Sequence, residues 1–276
     1  MENKKRLYWN SCSFLYPDSM ISPNYILSDK SVLSNLFYKE NELDTKSSYI
    51  ASALGSSNES IFRRTLIDCS KNDFDFVIIG WSHPERSLIL DNSINLQYNK
   101  LKEESEKSYL GDSPNRKLYG YTGLIPSHDS GNHLLLKFEP KGTDDTILYT
   151  IALHNFFKQK NIPHLFLNMG KLDSNVLTAR ESWLREINPK NYLSINSTDT
   201  ILEKMNFCFT QYYAKKAEKI VVKDIDISKY NVLKGNSDRE YEKNGWIMDI
   251  GGHLGELAYN DLFELMYNHI TKNNLV

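Results

Sequence analysis

Phe74-Asp75-Phe76-Val77-Ile78-Ile79-Gly80-Trp81 is the clearest predicted β-strand in this chain of 276 residues. Its apolar residues are nearly continuous rather than alternating, which is typical of a strand that is covered on both faces. Parallel sheets with helices on both sides bury their central strands in this way. The segment therefore predicts the interior of a parallel sheet in an α/β protein.

The sequence on either side of this strand alternates between predicted strands and predicted helices. Further strands are expected at 5–12, 49–51 and 164–168. Helices are expected after an N-cap at Ser57 or Asn58, after a cap at Thr143-Asp144-Asp145, over 200–218, and at the end of the chain around Leu262, Leu265, Met266 and Ile270. This alternation favours a doubly wound parallel sheet with helices on both sides, in one domain over 1–276.

Residues 92–142 interrupt the alternation and are rich in polar and turn-forming residues. We interpret them as an insertion into the domain and as a candidate lid. Gly111-Asp112-Ser113 in this insertion follows no apolar strand and precedes Pro114, which is typical of a turn. His128, Asp129 and His133 are metal-ligating residue types, but a solvated loop explains them better.

The composition excludes several classes of function. A formal net charge of -2, with scattered basic residues, gives no electrostatic basis for binding nucleic acid. No apolar run reaches the roughly 20 residues of a membrane span, and the first residues lack the features of a signal peptide. We therefore expect synthesis in a cytoplasm and no membrane partner. Three cysteines, Cys12, Cys69 and Cys208, are too few for a disulfide framework and predict buried, reduced thiols.

Chemically useful residues follow the predicted strands. Ser11-Cys12-Ser13-Phe14 follows the first, Leu54-Gly55-Ser56-Ser57-Asn58 the second, and Gly80-Trp81-Ser82-His83 ends the third. Asp249-Ile250-Gly251-Gly252-His253 precedes the closing helix. Ligands of open α/β sheets bind outside the carboxyl ends of the strands. Serine, histidine and aspartate brought together there would form a hydrolytic triad, in which the imidazole takes the hydroxyl proton and the carboxylate orients the imidazole.

These four segments, in this order, resemble the blocks of the SGNH, or GDSL-like, hydrolases, and the first block is most similar to divergent phage and environmental members. The resemblance covers about 5–270 apart from the insertion. It implies a flavodoxin-like three-layer α/β/α fold and esterase or deacetylase chemistry without metal or cofactor. An O-acetylated glycan is the substrate class expected from this family. A phage or virus origin and association with a virion are further expectations from the resemblance.

Matched position by position, the resemblance implies Ser13 as nucleophile and His253 as general base oriented by Asp249. The backbone N–H groups of Ser13 and Gly55 would bind the oxyanion. Ser82 stands where the family has an asparagine that donates to the oxyanion, and the Asn58 amide is a candidate replacement. The spacing from Asp249 to His253 is one residue longer than in the family, which leaves open a different orienting carboxylate.

The sequence also offers further candidate site residues and an alternative function. Trp81, His83 and Arg86 are candidate substrate contacts because they end or follow the third strand. Cys12 stands in place of the family's aspartate; we expect a buried filler, although a cysteine nucleophile paired with His253 is a chemical alternative. A fold of this type that has lost activity and serves as a binding or virion-associated structural module is the alternative function.

Overall fold

The computed structural model describes residues 6–12, 49–51, 57–84, 87–89, 122–124, 139–219 and 256–275. Within these residues the strands are β1 (Leu7–Asn10), β2 (Tyr49–Ile50), β3 (Phe76–Trp81), β4 (Ser87–Ile89), β5 (Thr122–Leu124) and β6 (His164–Asn168). The helices are α1 (Asn58–Lys71), α2 (Glu139–Lys160), α3 (Ser174–Ala179), α4 (Glu181–Leu184), a 3-10 turn at Pro189–Asn191, α5 (Ile201–Asn206), α6 (Phe209–Lys219) and α7 (Glu256–Asn273).

Four of the described strands form one parallel sheet in the order β2-β1-β3-β6. Trp9 of β1 pairs in register with Ile78 of β3, and Ile78 pairs with Leu165 of β6. β4 and β5 form a separate antiparallel pair. The predicted strands at 5–12, 49–51, 74–81 and 164–168 are therefore confirmed as members of one parallel sheet.

Alternate residues of β1 contact helices on opposite faces of the sheet, as the period of a strand requires. On one face, Asn10 Nδ2 donates to Thr65 Oγ1 of α1 at 2.9 Å. On the other, the ring of Trp9 meets that of Phe263 of α7 edge-to-face, with centroids 5.9 Å apart. The described part of the chain thus has helices on both faces of a parallel sheet, which is an α/β arrangement.

Every residue of β3 is buried, as the continuous apolar run predicts. Its last residue, Trp81, stacks against Phe166 of the neighbouring β6, with ring centroids 6.2 Å apart. Ser57 is the N-cap of α1, and its side chain accepts a hydrogen bond from the Ser60 N–H at 3.2 Å. The predicted cap at Ser57 or Asn58 is confirmed at Ser57.

The predicted start of the helix at Thr143-Asp144-Asp145 is wrong, because α2 begins at Glu139. Pro140 and Gly142 suggested a turn, but proline is tolerated in the first turn of a helix, where its missing N–H has no partner to lose. Thr143 is not a cap; its Oγ1 accepts a hydrogen bond from the Asp173 N–H at 3.0 Å. The last residues of the supposed insertion therefore belong to α2.

The helix expected over 200–218 is divided into α5 and α6 by a break at Phe207 and Cys208. The closing helix agrees with expectation, and Leu262, Met266 and Ile270 are buried on one face. The three cysteines are free and buried, as expected.

Among the helices that the structure describes, none has both the length and the apolar character needed to span a bilayer.

Two buried histidines form a hydrogen-bonded chain between α2 and the start of β6. His154 Nδ1 lies 2.8 Å from His164 Nε2, and His164 Nδ1 lies 2.9 Å from the Ile162 carbonyl oxygen. The Asn188 N–H donates to His154 Nε2 at 3.3 Å. These partners assign one proton to Nδ1 of each ring, so both imidazoles are neutral. Burial lowers the pKa of each histidine to about 4.

Candidate functional site

The order of the strands places a topological switch point at the carboxyl ends of β1 and β3. From β1 the chain continues to β2 on one side of the sheet, whereas from β3 it continues to β6 on the other side. Where connections from adjacent strands diverge in this way, the carboxyl edge has a switch point at which α/β proteins bind ligands. The segments after β1 and β3 are two of those that sequence analysis singled out.

Unpartnered polar atoms concentrate at the same edge. Four buried side-chain atoms of the described residues have no hydrogen-bond partner: Trp9 Nε1, Asn10 Oδ1, Trp81 Nε1 and Ser82 Oγ. They belong to the last two residues of β1, the last residue of β3 and the residue after it. Buried polar atoms are nearly always paired, so four exceptions at the ends of two adjacent strands need an explanation, such as bound water or a chemical role.

A network beneath this edge fixes the end of β1. The Asn10 amide donates to the Ile61 carbonyl oxygen at 3.0 Å, and its nitrogen also lies 3.2 Å from Tyr8 Oη. Tyr8 Oη donates to Asp68 Oδ2 at 3.0 Å. Burial raises the pKa of both Tyr8 and Asp68. The end of β1 is thereby tied to α1 by polar contacts, and the chain leaves Asn10 in a fixed direction towards Ser11 and Cys12.

The backbone after β3 is held by Asn58, the first residue of α1. Asn58 Oδ1 accepts from the Ser82 N–H at 2.7 Å, and Asn58 Nδ2 donates to the Ser82 carbonyl oxygen at 3.2 Å. Nδ2 also donates to Thr146 Oγ1 of α2 at 2.8 Å. Thr146 Oγ1 in turn donates to the Gly142 carbonyl oxygen at 2.7 Å. One side chain therefore binds both polar groups of the Ser82 backbone.

Two glycines allow this loop to pack closely against its neighbours. A Cβ built on Gly142 of α2 would lie 1.9 Å from the Pro84 carbonyl oxygen. A Cβ built on Gly170, just after β6, would lie 2.5 Å from His83 Cα and 2.7 Å from the Ser82 carbonyl carbon. The backbone of 82–84 is thus confined between α2 and the end of β6, in space that only glycine leaves open.

The catalytic residues predicted from the sequence lie outside the described residues. These are Ser13, Asp249 and His253; the predicted oxyanion residue Gly55 and the predicted substrate contact Arg86 also lie outside them. The structure does describe Cys12, directly before Ser13, and Cys12 is completely buried in the hydrophobic core. This agrees with its expected role as an apolar filler.

The four predicted site residues that the structure describes lie in different environments. The expectation that Trp81 contacts substrate is not supported, because its side chain is 0% exposed and packs in the core. Ser82 is also buried, with its hydroxyl unpartnered, and His83 is partly exposed. Asn58 is 3% exposed, and both hydrogens of its amide are used within the protein. An oxyanion role for Asn58 would require one of those bonds to break.

Sequence reasoning missed Thr146, Gly142 and Gly170 as residues of this region. Gly142 was placed in the insertion, and Thr146 has no feature that separates it from other buried helix threonines such as Thr150. The available signal was a glycine one turn before a threonine, followed by a regular helical pattern, but it specifies no partner. Their contacts with 58 and 82–84 arise only when α1, α2 and β3 pack together.

No protein-family model and no curated protein matches this sequence. The structure is similar to that of a protein assigned to the G-D-S-L family of lipolytic proteins, from Desulfitobacterium hafniense DCB-2. The match covers 96% of this chain and 99% of that chain, with 10% sequence identity and a TM-score of 0.36. That family is the one which the four sequence blocks resemble. Because this TM-score is low, the conclusions about fold and function rest on the residues described above and not on this likeness.

Proposed function

We propose that this protein is a serine-dependent ester hydrolase of the SGNH type, with its site at the carboxyl edge between β1 and β3. Its substrate class would be a small-molecule or glycan ester, such as an O-acetylated sugar. The observation that carries the proposal is the switch point itself. Adjacent strand ends meet there, and the residues at those two ends carry the unpartnered buried side-chain atoms of the described residues.

The reaction would proceed by acyl transfer through Ser13. Its Oγ attacks the ester carbonyl carbon while His253 accepts the hydroxyl proton, and Asp249 holds the imidazole in the required tautomer. Collapse of the tetrahedral intermediate breaks the bond to the alcohol oxygen, which takes the proton from His253. Water then attacks the acyl-enzyme with the same base, releasing the carboxylic acid and restoring Ser13. The N–H groups of Ser13 and Gly55 would stabilise the oxyanion.

The described residues support this proposal in two ways. The first sequence block begins at the end of β1, and the third block ends the adjacent strand β3. The residue after β3, Ser82, has an unpartnered hydroxyl and a backbone clamped by Asn58. An oxyanion donor contributes most when it is already held in place, since no reorganisation is then needed during the reaction.

Covalent labelling with a fluorophosphonate tests the proposal. The reagent is expected to phosphonylate Ser13, so the wild-type chain and Ser113→Ala should be labelled and Ser13→Ala should not. Intact mass and peptide mapping identify the modified residue, and circular dichroism checks that each variant is folded. Labelling that persists in Ser13→Ala, or a folded wild-type chain that is never labelled, contradicts the proposal. Cys12→Ala tests the cysteine alternative, which expects loss of turnover in that variant.

A binding or structural module that has lost activity is the second candidate function. The observation that favours it is the state of Asn58, whose amide hydrogens both bond to protein acceptors rather than facing a substrate. Ser82 in place of the family's asparagine points the same way. Removing one oxyanion donor from a well-studied protease costs about 3 kcal/mol of transition-state stabilisation. Unlabelled, folded wild-type protein that still binds acetylated glycan would favour this second function.

A further inference from the structure

The Asn58 side chain joins three separate elements of the fold at the edge where the site is proposed. It belongs to α1, it binds both backbone groups of Ser82 after β3, and it contacts Thr146 of α2. Asn58 does not cap its own helix, because Ser57 performs that function. Its amide is therefore directed to the loop after β3 and not to the helix that carries it.

Thr146 and the Ser82 backbone require the same orientation of the Asn58 amide. Its hydroxyl hydrogen is used by the Gly142 carbonyl oxygen, so Thr146 Oγ1 presents a lone pair to Asn58. Only the NH₂ end of the amide can satisfy that lone pair, which leaves Oδ1 to accept from the Ser82 N–H. An inverted amide would place Oδ1 against two acceptors, Thr146 Oγ1 and the Ser82 carbonyl oxygen, and the NH₂ group against the Ser82 N–H. Thr146 thus reinforces the orientation that the Ser82 backbone also requires.

We propose that Asn58 and Thr146 form a positioning pair that holds the backbone of Ser82, the residue at the position of the oxyanion donor in the proposed hydrolase. Neither residue touches the substrate; both act through Ser82. The role in catalysis depends on the proposed hydrolase function, whereas the holding of the loop does not. Gly142 and Gly170 confine the loop sterically, and the pair adds hydrogen bonds to its backbone at Ser82.

The matched variants are Thr146→Val and Thr150→Val. Both threonines are completely buried in α2, and each donates its hydroxyl to the carbonyl oxygen four residues earlier at 2.7 Å. They differ in that Thr146 also accepts from Asn58. Comparison of the two variants therefore cancels the loss of a buried intrahelical hydroxyl and leaves the contact with Asn58. Thr146→Ser is the conservative variant, because serine keeps the hydroxyl group that valine lacks.

The first readout is the dependence of fluorophosphonate labelling on reagent concentration, which separates the maximal rate from half-saturation. Thr146→Val is expected to lower the maximal rate by about tenfold to a hundredfold, the scale of a small misplacement in an active site. Half-saturation should stay within about twofold in all variants, because the pair does not touch the reagent. Thr150→Val and Thr146→Ser should keep the wild-type maximal rate.

The second readout is hydrogen exchange at the Ser82 amide, which needs no activity. Thr146→Val is expected to speed this exchange, while Thr150→Val and Thr146→Ser leave it unchanged. Equal rates in the two valine variants, by either readout, would overturn the positioning pair. If the wild-type chain is not labelled, the hydrolase proposal and the catalytic role fail together; exchange at Ser82 still decides whether the pair holds the loop.

Discussion

Replacing Gly142 with alanine is expected to lower the free energy of unfolding by about 2–3 kcal/mol, although Gly142 lies inside a helix. Helix propensity alone predicts the opposite, a gain of about 1 kcal/mol for this change. The added methyl group, however, would lie 1.9 Å from the Pro84 carbonyl oxygen, which belongs to backbone and cannot rotate away. Separating α2 from the loop after β3 would disturb close packing on both sides, at a cost typical of an overpacked core.

Urea unfolding of the wild-type chain and of Gly142→Ala measures the change in the free energy of unfolding. A decrease shows that the contact with Pro84 dominates, and an increase shows that helix propensity dominates. Asn155→Ala, at an exposed position of the same helix, is the matched control for propensity. It should be neutral or stabilising by a few tenths of a kcal/mol. Gly170→Ala is expected to destabilise in the same way as Gly142→Ala, because its methyl group would meet His83 Cα at 2.5 Å. Stabilisation by Gly142→Ala would show that 82–84 is not confined as described.

Acidification from pH 7 to pH 4 is expected to remove about 3 kcal/mol of stability through each buried histidine taken alone. The pKa of His154 and of His164 falls from 6.5 in the unfolded chain to about 4 in the folded protein. Between these values the unfolded chain binds more protons, so stability falls as the pH falls and levels off below about 4. The size follows from about 1.4 kcal/mol for each pH unit in this window. Protonation also removes the ring acceptors that bind Asn188 and His154.

The variant His154→Gln isolates this contribution from the carboxyl groups that titrate in the same range. Wild-type protein should lose about 3 kcal/mol more than the variant between pH 7 and pH 4, because the variant has one fewer histidine to protonate. Urea unfolding at several pH values between 4 and 7.5 measures both curves. Parallel curves would mean that His154 does not titrate with a lowered pKa. The shared hydrogen bond couples the two histidines, so their contributions need not add.

The buried strand Phe76–Trp81 could be predicted from the sequence because its apolar run is continuous, and a strand can bury such a run only between two layers. The N-cap Ser57 could also be predicted, because capping is local and depends on a short polar side chain before an amphipathic helix. Glu139 was missed as the start of α2 because Pro140 and Gly142 are turn signals unless packing overrides them. The sequence also proposed the segments after β1 and β3 as site segments; their adjacency then followed from strand order.

What the sequence determined by itself is the set of features that depend on neighbours along the chain: buried strands, helix caps and the order of the four blocks. Only the tertiary structure decided that Asn58 binds Ser82 and Thr146, which lie 24 and 88 residues away. It also decided that Trp81 lies in the core and that Gly142 meets Pro84. The physical reason is that periodicity fixes which face of an element is buried, whereas the partner of a polar group depends on how two elements pack. Contacts between distant segments form only when the whole sheet and its helices are assembled.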